Sequence, residues 1–138
     1  MERRDFLKIF IGGTSSLVSI FLSKHLFARA SERKEEILFQ NSPLAGFQYY
    51  HGERLWDNFN KGDPLTLIPE PGNSYDHKAV KVMYDGKQLG YIPRNENSII
   101  CGMLNRNQKI TAKISVLNES GNLWERLEMN IYLIPDVA

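Results

Sequence analysis

The chain has 138 residues, 42% hydrophobic and 24% charged, with a formal net charge of +1, which is the size and balance of one ordinary globular domain. Its single cysteine, Cys101, excludes a disulfide framework and a cysteine-rich metal centre. Residues 1–30 hold five basic and two acidic side chains, so residues 31–138 carry twelve basic and fourteen acidic ones, a net charge of −2. That excludes the broad basic field of a protein that coats duplex nucleic acid. Any nucleic acid bound by this domain has to meet a small local site.

The first thirty residues read as an address. Glu2-Arg3-Arg4-Asp5-Phe6-Leu7-Lys8 is a charged start, Ile9–Leu22 is an apolar run, and Ala28-Arg29-Ala30 precedes Ser31 with the small residues of a cleavage site. The apolar run falls short of the roughly 20 residues that a membrane span needs. Arg3 and Arg4 with Phe6-Leu7-Lys8 resemble the twin-arginine signal, which carries proteins that are already folded. The expected division is therefore 1–30 a signal or anchor, 31–41 a linker and 42–138 the domain. The protein is expected to be exported, periplasmic or tethered to the inner membrane by that segment alone, with a cytoplasmic location as the alternative.

In the domain, Ile37–Phe39 suggests an edge strand before a turn at Asn41-Ser42-Pro43. Leu44–Tyr50 has the aromatic weight of a strand, which would send Tyr49 and Tyr50 to opposite faces, one of them a candidate for the core. Glu53–Asn60 places Leu55, Trp56 and Phe59 on one helical face. Pro64–Pro69 reads as a strand with Leu65 and Leu67 on one side. Glu70–Asp76 is a dense turn. Ala79–Tyr84 and Lys87–Ile92 form a hairpin across Asp85-Gly86. Glu96–Arg106 carries the helical stripe Ile99, Ile100, Met103 and Leu104. Lys109–Leu117 points Ile110, Ala112, Ile114 and Val116 inward, and pairs with Glu125–Ile134, which alternates Leu127, Met129, Ile131 and Leu133. The sum is a mainly β fold: a small OB-like or SH3-like β-barrel of about six strands with two short helices.

Two segments carry a signature. Glu70-Pro71-x-Asn73-x-Tyr75-Asp76-x-x-Ala79-Val80-x-Val82 is followed, after the hairpin, by Leu89-Gly90-Tyr91-Ile92-Pro93. Upstream, Ala45-Gly46-Phe47-Gln48-Tyr49-Tyr50 pairs with Gly62-Asp63-x-Leu65-x-Leu67. From about Leu44 to Leu117 this order and spacing resembles the HIRAN family. Such modules occur fused to fork-remodelling DNA translocases and as stand-alone bacterial chains. The best-understood ones have a modified OB-like fold that holds the free 3′ end of single-stranded DNA. The resemblance implies that Tyr49 and Tyr50 stack on or pack along the strand. It places Tyr75 and Asp76 at the terminal nucleotide, with Asp76 accepting from the 3′-hydroxyl. Asn73 falls in the same turn, and Arg94 where the family keeps a basic residue. Gln48 stands where the best-known members have arginine and Gly72 where they have a second asparagine. A neutral amide bonds a phosphate more weakly than a guanidinium does, so weaker binding is expected.

The residues by themselves support the same logic. Aromatic faces stack bases for about 1–3 kcal/mol each. A carboxylate repels phosphate, so an acid belongs in a nucleotide pocket only where a hydroxyl sits. A second role is open to Asn73 and Asp76, which as short polar side chains can simply hold their turn. Tyr91 reads as a half-buried strand residue, Trp56 and Trp124 as packing, and Cys101 as a buried, inert thiol. His51 and His77 have no carboxylate or thiolate company for a metal and no serine or cysteine spaced as a nucleophile. No catalysis and no cofactor are expected. The leading partner is single-stranded DNA at its 3′ end. The alternative is an exported cell-envelope domain that uses the same groove for a peptide, a glycan or a protein.

Overall fold

The computed structural model describes residues 35–119 and 122–136; Arg3, Arg4, Ala28 and Ala30 of the expected export signal lie outside them. Six strands form one antiparallel sheet: β1 Ile37–Pro43, β2 Pro64–Pro69, β3 Val80–Tyr84, β4 Lys87–Tyr91, β5 Ile110–Leu117 and β6 Leu127–Leu133. Their order is β1-β6-β5-β2-β3-β4. Two short helices, α1 Gly52–Leu55 and α2 Ser98–Asn105, and three 3-10 turns complete the unit. This is the small, mainly β architecture expected from the sequence.

The alternation of side chains builds the core directly. Leu65 and Leu67 of β2, Val80 and Val82 of β3, Leu89 of β4, Ala112 and Ile114 of β5, and Leu127, Met129 and Ile131 of β6 are all buried, as the two-residue period requires. The hairpin turns at Asp85 (φ 48°) and Gly86 (φ 76°). Two successive positive φ values match the right-handed twist of the flanking strands, and Asp-Gly adopts them readily.

The two edge strands are joined by one bridge. The chain leaving β1 donates from Ala45 N to Tyr91 O, and Tyr91 N donates to Ala45 O, both at 2.9 Å. Gly90 makes this approach possible. It lies at φ 157°, and a Cβ there would run into the Ala45 carbonyl oxygen. The strand expected over Leu44–Tyr50 is therefore a single bridge at Ala45 followed by a 3-10 turn, Phe47–Tyr49. Its apolar residues imitate a strand, but Gly46 at φ 77° turns the chain back. Phe47 then plunges into the core, and its ring occupies the space that any side chain at Gly52 would need.

Other expectations are corrected in the same way. β1 starts at Ile37, where an edge strand is expected, but it runs on through the turn expected at Asn41-Ser42-Pro43, because those residues pair with Asn130, Met129 and Glu128 of β6. The helix expected over Glu53–Asn60 is one turn of α1 followed by a 3-10 turn, Trp56–Asn58. Val116 is exposed because the register of β5 shifts between Ile114 and Val116; one extra residue reverses the alternation, and Leu117 packs on the core instead. Ile99 is exposed in the first turn of α2, with Ser98, while Ile100, Cys101 and Met103 face inward. Trp56 packs as expected, edge-on to Phe47 and Phe59, with the Arg126 guanidinium over its ring at 5.1 Å. Trp124 does not pack; it is 67% exposed on the 3-10 turn that precedes β6.

Candidate functional site

A cleft of about 590 Å³ opens where the Glu70–Asp76 turn faces the end of β4 and the loop into α2. Its wall contains five of the seven residues singled out in the sequence: Tyr50, Asn73, Tyr75, Asp76 and Arg94. Gln48 and Tyr49 are not part of it. They sit on the 3-10 turn, Gln48 half-buried and Tyr49 exposed. With no strand at this point, neither Tyr49 nor Tyr50 is sent to the core, and both are exposed.

The turn is built by its own side chains. Asn73 Oδ1 accepts from the backbone N–H of Tyr75 (2.9 Å) and of Asp76 (3.2 Å), and its Nδ2 donates to Glu70 Oε1 at 2.9 Å. Asn73 thus holds the turn, the role short polar side chains take in such segments. Tyr75 is thereby raised to the lip of the cleft, 89% exposed. A large aromatic ring free of neighbours gives nothing to the core and is free to stack on a planar ligand.

Asp76 is held by two donors. Its Oδ1 accepts from Lys78 N at 2.9 Å and its Oδ2 from Asn97 Nδ2 at 2.7 Å. The Lys78 N–H first, then the Asn97 amide, hold the carboxyl below the usual range; burial opposes them, and the charges of Arg94 and Lys78 add to the lowering. It is an anion throughout the physiological range. Each oxygen keeps a lone pair for a further donor.

Tyr50 closes the opposite wall, edge-on to Tyr91 with ring centroids 5.9 Å apart. Burial first, then the Tyr91 phenol, pushes the Tyr50 hydroxyl up, so it stays neutral. Tyr91 O–H donates to Glu70 Oε1 at 3.0 Å, and Lys81 Nζ lies 3.6 Å from Glu70 Oε2. Arg94 is exposed and also borders a neighbouring cleft of about 360 Å³ with His77, Lys78 and Ser98. The site therefore joins aromatic faces, a fixed anionic acceptor and one cation at the rim. No group of histidine, cysteine or acidic residues suited to a metal occurs among the described residues.

Glu70, Tyr91 and Asn97 also line the cleft, although none of them stands out in the sequence as facing a ligand. Glu70 and Tyr91 stand inside the signature, so the pattern pointed to them without a chemical reason. Asn97 had only the signal of an asparagine ahead of a helical stripe, which reads as a cap.

Among solved structures, a protein from Lactobacillus plantarum superposes with a TM-score of 0.64 at 22% identity, covering 72% of this chain and 96% of that one. The HIRAN domain of human HLTF superposes with a TM-score of 0.54 at 21% identity, covering 71% of this chain and 79% of that one. At these identities the likeness is one of fold. A Fanconi-associated nuclease 1 homolog from Oryza sativa subsp. japonica is 34% identical over 61 residues. That stretch is 40% of this chain but 6% of the plant protein, so this chain is similar to one small part of it. The HIRAN domain model matches residues 37–134, from the first residue of β1 to just past the end of β6, and the chain belongs to the HIRAN family.

Proposed function

We propose that this domain is a non-enzymatic binding module for single-stranded nucleic acid and that its cleft receives the free 3′ end. The observation that carries this reading is the pairing, in one cleft, of an exposed aromatic lip with a carboxylate fixed by two donors. Tyr75 and Tyr50 offer faces or edges to bases whatever their sequence. Asp76, ionised and acceptor-only, favours a hydroxyl and repels a phosphate. A strand interior presents a phosphodiester at that point, whereas a 3′ terminus presents a hydroxyl. Family membership supports the same class of ligand, and the net charge of −2 over residues 31–138 fits a local site better than a coating surface.

The test uses fluorescence anisotropy with a short labelled strand in linear form and as a covalently closed circle of the same sequence. The linear strand binds and the circle does not. Tyr75→Ala weakens the linear strand by about tenfold, the loss of one stacked base. Equal affinity for the circle would replace end recognition by binding along the strand, and absence of binding to either would remove nucleic acid as the ligand.

A further inference from the structure

We infer that Asn97 is the positioning residue that makes this cleft selective for a terminal hydroxyl, by locking the Asp76 carboxylate in place. The inference rests on the end-binding reading above and assigns its selectivity to a residue outside the turn.

Three observations carry it. Asn97 is 2% exposed, and a buried amide is costly unless bonded; its Nδ2 lies 2.7 Å from Asp76 Oδ2. Asn97 also stands at the N-cap of α2, where asparagine ordinarily accepts from the first turn of the helix. Here the side chain makes no cap hydrogen bond; its amide is turned to Asp76 instead. Finally, the loop that presents it is itself anchored. Glu96 N donates to Pro93 O at 2.9 Å, Cys101 N donates to Asn97 O at 2.8 Å, and the fully buried Ser42 of β1 donates from Oγ to Glu96 Oε2 at 2.8 Å. The direction of the amide is set by the fold before any ligand arrives.

A carboxylate without this tie would swing to solvent when the wrong terminus entered, and would lose orientation for the right one. Tied on both oxygens, it can neither avoid an unsuitable group nor lose its aim; such preorganisation is what converts a contact into selectivity. Arg94 and Lys78 face Asp76 with positive charge, His77 borders the neighbouring cleft and Glu70 shares the main one. These groups act alike in every variant below.

The test compares strands that end in a 3′-hydroxyl or in a 2′,3′-dideoxy sugar, which has no titratable group. Asn97→Asp keeps the shape and replaces the donor by a carboxyl. Two carboxyls at hydrogen-bond distance resist ionising together, so one of them holds its proton to a higher pH than an isolated carboxyl does; that proton is shared at mildly acidic pH and released as pH rises. The unmutated protein prefers the hydroxyl by about tenfold, level from about pH 5.5 to about pH 8. Asn97→Asp keeps the preference at the acid end and loses it at the alkaline end, and Asn97→Ala loses it throughout. Should either variant fail to fold, the Asn97 side-chain amide resonance of the unmutated protein still decides. It shifts with the hydroxyl-ended strand and not with the dideoxy one. No preference in the unmutated protein overturns the end-binding reading. A preference that survives in both variants, level with pH, or an amide resonance blind to the two ends, overturns the role of Asn97.

Discussion

The cleft is assembled from two regions held by different means. The Glu70–Asp76 turn is shaped from within, by hydrogen bonds between Asn73 and residues no more than three positions away, and only its two ends are tied to the rest of the domain, Glu70 by Tyr91 and Asp76 by Asn97. The arm over residues 44–52, which delivers Tyr50, is fixed from outside. Leu44 N reaches Leu127 O of β6, Ala45 bridges to Tyr91 of β4, His51 N reaches Gln88 O, and Phe47 is buried to 1% exposure. The turn is a local device mounted on the barrel, whereas the arm is part of what closes the barrel. Damage to the arm should therefore cost both stability and binding, and damage to the turn mainly binding.

The largest expected effect follows from the arm's buried anchor. Phe47→Ala leaves a cavity the size of a ring, for about 3–5 kcal/mol of stability, read by chemical denaturation with intrinsic fluorescence. Gly90→Ala comes next. It places a methyl against the Ala45 carbonyl at a φ that disfavours side chains, and breaking the bridge costs about 2–3 kcal/mol. Nucleic-acid affinity falls with it, because Tyr50 loses its seat. If either variant melts like the unmutated protein, the arm is not the closure.

Asn73→Ala removes the local scaffold. It should lower stability by only about 1 kcal/mol, a typical capping loss, while the melting curve stays cooperative and binding weakens. A collapse of the fold in this variant would place the turn, too, in the frame of the barrel. Trp124→Ala, an exposed ring outside both regions, should change stability by less than about 0.5 kcal/mol.

The same contrast explains what could be read in the sequence. The turn was legible because its chemistry lies within seven residues: an asparagine able to bond N–H groups two and three positions ahead, then a tyrosine with no apolar neighbour. The hairpin was legible through Asp85-Gly86, and the core through alternation in β2, β3 and β6. The arm was misread as a strand because aromatic weight is the same signal in both, and its partner is a single residue of β4 some 46 positions away. The bulge that exposes Val116 has no local mark either. Nothing next to Asn97 in sequence points to a role in the cleft, and only the folded chain brings it against Asp76, 21 positions earlier. Five of the seven candidate residues meet in the cleft; the two that do not, Gln48 and Tyr49, both belong to the misread segment.

The central claim is that Asp76, an anion held on both oxygens, makes this cleft a sensor of the terminal group. Sign and pH window follow from the lowered pKa. The carboxyl is ionised at neutral pH and stays so into mild acid, and only as pH falls through its depressed value does it become a donor and cease to discriminate. The direct measurement is an anisotropy titration at neutral pH with one strand ending in a 3′-hydroxyl or in a 3′-phosphate, on the unmutated protein and on Asp76→Ala. The account predicts at least about a tenfold preference for the hydroxyl, the size of one hydrogen bond lost to an unpaired acceptor, and its disappearance in the variant. Equal affinity for the two ends in the unmutated protein, or a preference that Asp76→Ala leaves intact, would contradict it.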